Sequence, residues 1–328
     1  PQAWPHPVNL AGGLLGALER PLRALKRCRR AAGALFLLAA LLLCGAATLL
    51  FMNLPELFRP ALSSVSPGRF AQVFGVLCAL YLAYSGLALG CLLREGRKAV
   101  RAIGTAEAAA RAEKENAGAL LREARLTVAM LVSREVSGLD AAALYRTLAE
   151  SLSENFNDAF VAPFFWLVLG GPAGLWLYKC ASTADSRWGY KHEPWTRAGW
   201  AAARLDDVLA FAPARLSAVF LYLGSGPAGW KIWPGWGPFR RQARRMESPN
   251  AGWSMAAAAW LHRAAMGGPA VYAGKVKDKP RLGPERGADA VWDGAKIAAL
   301  LRHLLLAGLI GALVLSAPFA LAGLTAWP

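Results

Sequence analysis

The chain has 328 residues, 55% of them hydrophobic, and carries 37 Lys and Arg against 21 Asp and Glu, a net charge of +16. Two ordinary domains would fit this length, but so apolar and so basic a composition excludes an ordinary soluble protein and fits a multi-pass membrane protein with basic cytoplasmic loops. It also fits binding of anions such as nucleotides and phosphates. It argues against nucleic acid as a partner, because no basic run is interleaved with exposed aromatics.

In chain order, residues 1–30 form a basic cytoplasmic segment carrying WPHPV (4–8), with Arg20, Arg23, Lys26, Arg27, Arg29 and Arg30 ahead of the first apolar run. Residues 31–52 and 70–93 are uncharged, and each exceeds the roughly 20 residues that cross a hydrocarbon core. The stretch 31–93 is therefore predicted to hold two transmembrane helices. A third run, 304–327, is broken only by Pro318 and makes 304–328 the predicted C-terminal transmembrane helix. Arg94, Arg97, Lys98 and Arg101 follow the second run, and Lys296 and Arg302 precede the third. Counting these flanks as cytoplasmic places 94–303 on the cytoplasmic side of a bacterial inner membrane. No signal peptide is visible, and the abrupt start at Pro1 is expected to lack the true N-terminus.

Within 94–303, residues 97–134 are rich in Ala, Arg and Glu with helical periodicity and predict one long helix. Asp140 is the predicted N-cap of a helix over 141–155. Segments 160–178, broken by Pro163 and Gly170-Gly171-Pro172, and 208–223, with Pro213 and Arg215, read as short or re-entrant helices partly embedded in the membrane. Residues 178–192 (YKCASTADSRWGYKH) and 225–250 read as loops. Strand-like alternation is missing throughout, so the expected class is all-α, a multi-pass integral membrane protein with a membrane-apposed helical cytoplasmic region. Cysteines stand at 28, 44, 78, 91 and 180 without a C-x-x-C, three inside apolar runs, and read as reduced thiols acting as small hydrophobes.

The chemistry-bearing residues are concentrated in a few stretches. On the helix over 141–155, Leu144, Leu148 and Leu152 form one stripe; Glu150, Glu154 and, if the helix persists, Asp158 form another. Such a stripe is ordinarily a solvated acidic face. Here Asn155 and Asn157 add amides beside it, and an apolar run begins at once in SENFNDAFVAPFFW (153–166). Hard oxygen ligands clustered in this way suit Mg²⁺. Asp206 and Asp207 in RLDD (204–207) repel one another unless Arg204 or a divalent ion compensates. Lys179, Asp185, Arg187, Tyr190, Lys191 and His192 supply charge in a stretch where substrate groups can converge, although Lys179 also suits snorkelling to the interface. SPNAGW (248–253) and MGGPAVYAG (266–274) are turns that allow close backbone approach. Gly224, Gly226 and Gly229 satisfy G-x-G-x-x-G without a strand-turn-helix unit around them, and no Walker loop occurs, so any ATP must bind without one.

Taken in order, WPHPV (4–8), SREVSGLD (133–140), ESLSENFNDAFVAPFFW (150–166), GGPAGLWLYKCASTADSRWGYK (170–191), GWAAARLDDVLAFAPARL (199–216), SPNAGW (248–253) and GGPAVYAG (267–274) resemble the adenosylcobinamide-phosphate synthase family of cobalamin biosynthesis, from Trp4 to about Gly283. The resemblance implies a membrane ligase. It would join the propionate carboxylate of (adenosyl)cobyric acid to the amine of 1-amino-2-propanol or its O-phosphate, using ATP and Mg²⁺ and an acyl phosphate. On that footing Glu154, Asp158 and Asp207 are the candidate metal ligands, with Asp185 and Asp206 in reserve. Lys179 and Lys191 would meet phosphate or acyl-phosphate oxygens, with Arg204 and Arg215 as clamps. His6, Asn155, Tyr190 and Asn250 would contact substrate, and Glu150 would act as base for the amine or orient a neighbour. The corrinoid, the amine, membrane lipid and further copies of the chain are the expected partners.

This chain departs from the family pattern at three places. Arg134-Glu135-Val136 stands for the usual Arg-Asp-Thr, Asp158-Ala159 for Asp-Gly, and Ser182-Thr183 for Asn-Thr. Two rival expectations are a membrane transporter for a corrinoid or other large anion, suggested by the broken segments, and a non-catalytic membrane sensor of the same fold. Polar clusters on one predicted side argue against the first, and the retained acids against the second.

Overall fold

In the computed structural model the described residues are 6–24, 29–58, 67–190, 193, 195–226, 233–272, 274–284 and 291–323. The elements in chain order are α1 (Pro7–Ala24), α2 (Arg29–Phe58), α3 (Pro67–Gly86), α4 (Leu89–Arg111), α5 (Ala117–Ala129) and α6 (Ala141–Phe156). A π-helical turn, Asn157–Val161, leads to α7 (Ala162–Trp188), α8 (Trp195–Ala198), α9 (Trp200–Leu209), α10 (Phe211–Gly224), α11 (Trp236–Ala243) and α12 (Ala251–Leu261). Strands β1 (Met266–Tyr272) and β2 (Lys275–Leu282) precede the last helix, α13 (Gly294–Gly323). The chain is thus essentially all-α, with one two-stranded sheet among the described residues.

Among the described residues four helical stretches are long and apolar enough to cross a membrane: Arg29–Leu54, Gln72–Arg111, Ala141–Trp188 and Gly294–Phe319. The broken pair Trp200–Leu209 and Phe211–Gly224 meets the same test when taken together. On α2, Leu35, Leu38, Leu42, Leu43, Leu49 and Leu50 stay uncovered, as do Leu309 and Leu313 on α13. Bare leucine faces of this extent are unfavourable in water and natural against lipid, where a helix also satisfies its own backbone. These are the properties of a multi-pass membrane protein.

The helices form two units, residues up to Ala88 with Ala162–Ala210, and Leu89–Val161 with everything from Phe211 onward. In the first, α1, α2, α7, α8 and α9 bury Leu15, Leu22, Leu37, Cys180, Ala184, Trp188 and Trp195 together. The stretch read as a loop from Tyr178 is helical as far as Trp188. Its small apolar positions, Cys180, Ala181 and Ala184, are buried, so packing and not local polarity decides its conformation. The break expected at Gly170-Gly171-Pro172 is present, with Gly171 at φ 60. Cys44, Cys78, Cys91 and Cys180 are free thiols.

In the second unit α6 is central. Its predicted apolar stripe, Leu144, Leu148 and Leu152, is fully buried, and Asp140 caps it by accepting from Ala143 N at 2.8 Å. α4 and α13 pack closely on it at Gly96, where a Cβ would stand 2.9 Å from Leu152 and 2.7 Å from Leu301. The single helix expected over 97–134 is two: α4 ends at Arg111, Glu113 takes a left-handed φ of 51, and α5 starts at Ala117. The intervening AEKEN (112–116) has no apolar side chain large enough to hold a continuous helix against the core. Likewise the expected loop 225–250 contains α11, fixed by contacts of Trp236 and Phe239 with Trp233.

The hairpin corrects the expectation of no strands. β1 and β2 pair antiparallel, with Gly268 opposite Lys279, Tyr272 opposite Lys275, and a bulge between Met266 and Gly268. MGGPAVY lacks alternating apolar residues and KVKDKPRL is mostly exposed and cationic. Cross-strand pairing and docking on α6 and α12, which period-2 patterning does not report, make them strands. Gly267 is required at the bulge: its φ is +87, and a Cβ would collide with the Pro280 carbonyl.

A histidine pair lies between α12 and α13. His303 Nε2 is 2.7 Å from the carbonyl of Leu221, which only accepts, so that nitrogen carries the proton; Nδ1 then accepts from His262 Nε2 at 2.9 Å. Burial, with His303 and Lys296 nearby, pushes His262 down to about 3.

Candidate active site

Glu150 is the fixed point of the site. Its side chain is 1% exposed, Arg134 donates from Nη2 to its Oε2, and the bulge amide of Gly267 donates to its Oε1 at 2.9 Å. The loop that carries Arg134 is tied down on three sides. Ser151 Oγ donates to the carbonyl of Leu131 at 2.6 Å, Arg125 Nε to that of Leu139 at 2.8 Å, and Glu135 N to that of Val271 at 2.9 Å. Glu135 Oε1 in turn accepts from Gly274 N at 2.6 Å, at the turn of the hairpin. Three motifs far apart in sequence, SREVSGLD, ESLSENFND and GGPAVYAG, therefore meet in one place.

Around this anchor the charges alternate. Glu154, one turn beyond Glu150 on α6, lies within electrostatic reach of Asp158, Lys279, Glu150 and Arg134. Tyr272 gathers cations about its ring: Lys279 Nζ at 5.5 Å from the centroid, with Arg134 Cζ and Lys277 Nζ at 6.0 Å. Burial pulls the Arg134 guanidinium down, but Glu150, with Tyr272 and Glu154 beyond it, outweighs this and holds it above the ordinary arginine value. Asp158, the second residue of the π-helical turn, accepts from Asn157 Nδ2 at 2.8 Å, whereas the buried Oδ1 of Asn157 has no hydrogen-bond partner among the described residues. π-turns re-aim side chains relative to the preceding helix and recur at functional sites.

The other expected residues fall into separate groups. In the same unit, Arg215 donates from Nη1 to Asn250 Oδ1 at 2.9 Å and to the Phe211 carbonyl at 2.6 Å, and lies 4.6 Å from the Trp253 ring centroid. Arg215 and Asn250 thus hold each other. Asn155 donates back within α6 to Ser151 O at 2.9 Å. In the other unit, Asp185 on α7 is within electrostatic reach of Asp207 on α9, and Arg204 Nη1 is 3.5 Å from Asp207 Oδ2. Asp206 precedes Asp207 on the same helix, and Lys179 lies on α7. Tyr190 is exposed. His6 immediately precedes α1, its Nδ1 accepting from Val8 N at 3.3 Å. Lys191 lies outside the described residues.

The CobD/Cbib protein family model matches residues 1–304 of this chain. The chain belongs to the CobD/CbiB family. It is similar to the cobalamin biosynthesis protein CbiB of Salmonella typhi, with 32% identity over 309 residues, 92% of this chain and 88% of that one. It is similar to the cobalamin biosynthesis protein CobD of Geobacter metallireducens, with 32% identity over 296 residues, 90% of this chain and 85% of that one. CobD of Chromobacterium violaceum is 44% identical over a shorter stretch of 164 residues, 50% of this chain and 51% of that one. Against this last relative the match spans about half its length, and against CobD of Stutzerimonas stutzeri it spans 61%. No solved structure matches the chain.

The Mg²⁺ expected of a CobD/CbiB-family protein can be set against these donors. Among the described residues no three His, Cys, Asp or Glu groups converge. The acids come in pairs, Glu154 with Asp158 and Asp185 with Asp207. Mg²⁺ is commonly held by one or two carboxylates, with water and substrate phosphates completing its shell. The first pair fits best, since its donors are all hard oxygens and the orphaned Asn157 Oδ1 stands beside it. Glu154 and Asp158 would hold the ion, which would neutralise phosphate charge.

Arg134, Tyr272 and Lys279 were not among the residues singled out from sequence. Arg134 had a signal, its place in SREVSGLD just before a capped helix. Lys279 had none, because only the register opposite Gly268 brings it to the acids.

Proposed function

We propose that this CobD/CbiB-family chain is an ATP-dependent amide ligase. It joins a propionate carboxylate of (adenosyl)cobyric acid to the amine of 1-amino-2-propanol or its O-phosphate, at the cytoplasmic face of the bacterial inner membrane. A carboxylate does not form an amide at neutral pH without activation. The economical route is attack of a carboxylate oxygen on the γ-phosphorus, which releases ADP and leaves an acyl phosphate. The amine then attacks the acyl carbon, and inorganic phosphate departs.

The single observation that carries this reading is the alternation of Arg134, Glu150, Glu154, Asp158, Tyr272 and Lys279 around one end of α6. Phosphoryl transfer needs cations for the transferring oxygens and carboxylates for a divalent ion, close together and fixed in advance. Arg134 and Lys279 are the cations. Glu150 has both oxygens engaged and is nearly inaccessible, so it positions Arg134 and takes no proton from the amine. Tyr272 holds the cations near one another without neutralising them. Glu154 and Asp158 supply the carboxylates for the ion.

The test uses the full chain in detergent with cobyric acid labelled with oxygen-18 in its carboxylates, aminopropanol phosphate, ATP and Mg²⁺. The expected products are the amide, ADP and phosphate bearing one labelled oxygen. Formation of AMP and pyrophosphate, or amide formation without nucleotide, would overturn the reading.

A further inference from the structure

We infer that the cleft between α5 and the loop 131–139 docks the phosphate chain of a nucleotide; this rests on the ligase reading and names the site of its nucleotide. The cleft encloses about 500 Å³ and is lined by Arg122, Arg125 and Arg134, by Leu126 and Ala129, and by Glu135. On neighbouring α4 some exposed cations have acidic partners a turn away, as in Arg111 with Glu107 and Lys98 with Glu95, while others, such as Arg97 and Arg101, have none among the described residues. Arg122 and Arg125 have none among the described residues. Arg125 is instead aimed by its Nε bond to the Leu139 carbonyl, and no protein acceptor among the described residues meets its terminal amino groups. The one carboxylate in the wall, Glu135, is committed to the Gly274 amide.

Guanidinium forks are the natural alternative for a chain without a Walker loop, since their paired N–H groups match phosphate oxygens. The neighbouring wall is apolar: Leu126 is 70% exposed and Ala129 is exposed beside it. An inorganic anion has no use for such a wall, whereas a nucleoside base does. Arg134 connects the cleft to the acids, because this residue lines the cleft and its guanidinium bonds Glu150. A phosphate chain seated on Arg122 and Arg125 would therefore run past Arg134 toward Glu154.

The experiment is equilibrium binding of radiolabelled ATP to the full chain in detergent, with inorganic tripolyphosphate as competitor. Loss of one charge-assisted contact to phosphate lowers affinity about tenfold. Arg122→Ala and Arg125→Ala are each expected to weaken ATP and tripolyphosphate by that factor, and their combination by more. Leu126→Asp is expected to weaken ATP and not tripolyphosphate, while Arg111→Ala leaves both unchanged. Unaltered ATP binding in the double arginine variant overturns the site. So does loss of tripolyphosphate competition in favour of phosphatidylglycerol vesicles, which would assign the cleft to lipid headgroups. The two readings separate cleanly: arginine-dependent nucleotide binding without amide formation removes the ligase reading and keeps the site. Amide formation with an unchanged KM for ATP in the double variant keeps the ligase and removes the site.

Discussion

Replacing Arg134 by alanine strips Glu150 of its only cationic partner among the described residues while leaving the acid where it is. The Glu150 side chain is 1% exposed and Arg134 is 10% exposed, so the pair is buried and water cannot take over the missing role. After the substitution the carboxylate keeps one hydrogen bond, from Gly267 N. Breaking a buried ion pair from one side costs about 3–5 kcal/mol, because an uncompensated charge is left behind. For a chain larger than about 150 residues, 1 kcal/mol moves the melting temperature by roughly 2 °C, so Arg134→Ala should lower it by about 6–10 °C. Adding Glu150→Gln removes the stranded charge and preserves an acceptor for Gly267. The double variant should recover about half of the loss. Thermal unfolding followed by tryptophan fluorescence in detergent near neutral pH measures both. Equal melting temperatures for the single and double variants would refute the argument that a stranded charge, and not lost packing, is what destabilises.

Glu154→Gln and Asp158→Asn keep shape and remove charge. Each is expected to lower ATP-dependent amide formation by about 10–100-fold and to raise the Mg²⁺ needed for half-maximal rate, which a Mg²⁺ titration of turnover checks. Gly267→Ala meets both a positive φ and the Pro280 carbonyl, and should destabilise by about 1–3 kcal/mol. Gly268→Ala shares the positive φ but meets nothing within 4 Å, so thermal unfolding should rank it as the milder change. His262 lies at about 3 in the folded chain, below its unfolded value. Between the two values only the unfolded chain takes up the proton. Its contribution is thus complete above pH about 6.5 and declines as the pH falls toward 3, by about 1.4 kcal/mol per unit. His262→Gln should flatten that part of the stability profile.

Helices able to span were legible because lipid asks one thing of a helix, an uninterrupted apolar run, and residues 31–52 and, within the described residues, 304–323 answer it with little tertiary help. Asp140 and the stripe Leu144, Leu148 and Leu152 were legible because a cap and a 3.6-residue period are local. The acids of α6 and the π-turn could be picked out, and so could Arg215 and Asn250, although not that those two hold each other. The helical course of Tyr178–Trp188, the division of 97–134 and the hairpin were not legible, since each depends on what it packs against.

Sequence alone thus determined the membrane class, the helical content and the family, all of which rest on composition, periodicity and ordered motifs. The partners of the acids were decided only by tertiary structure. Arg134 reaches Glu150 across a loop whose path is set by hydrogen bonds to α6 and the hairpin. Lys279 comes to the acids through strand register. A bulge that only glycine tolerates aims the Gly267 amide at Glu150. Charges act through space within a few ångströms, and chain order does not encode which distant residues those ångströms will contain.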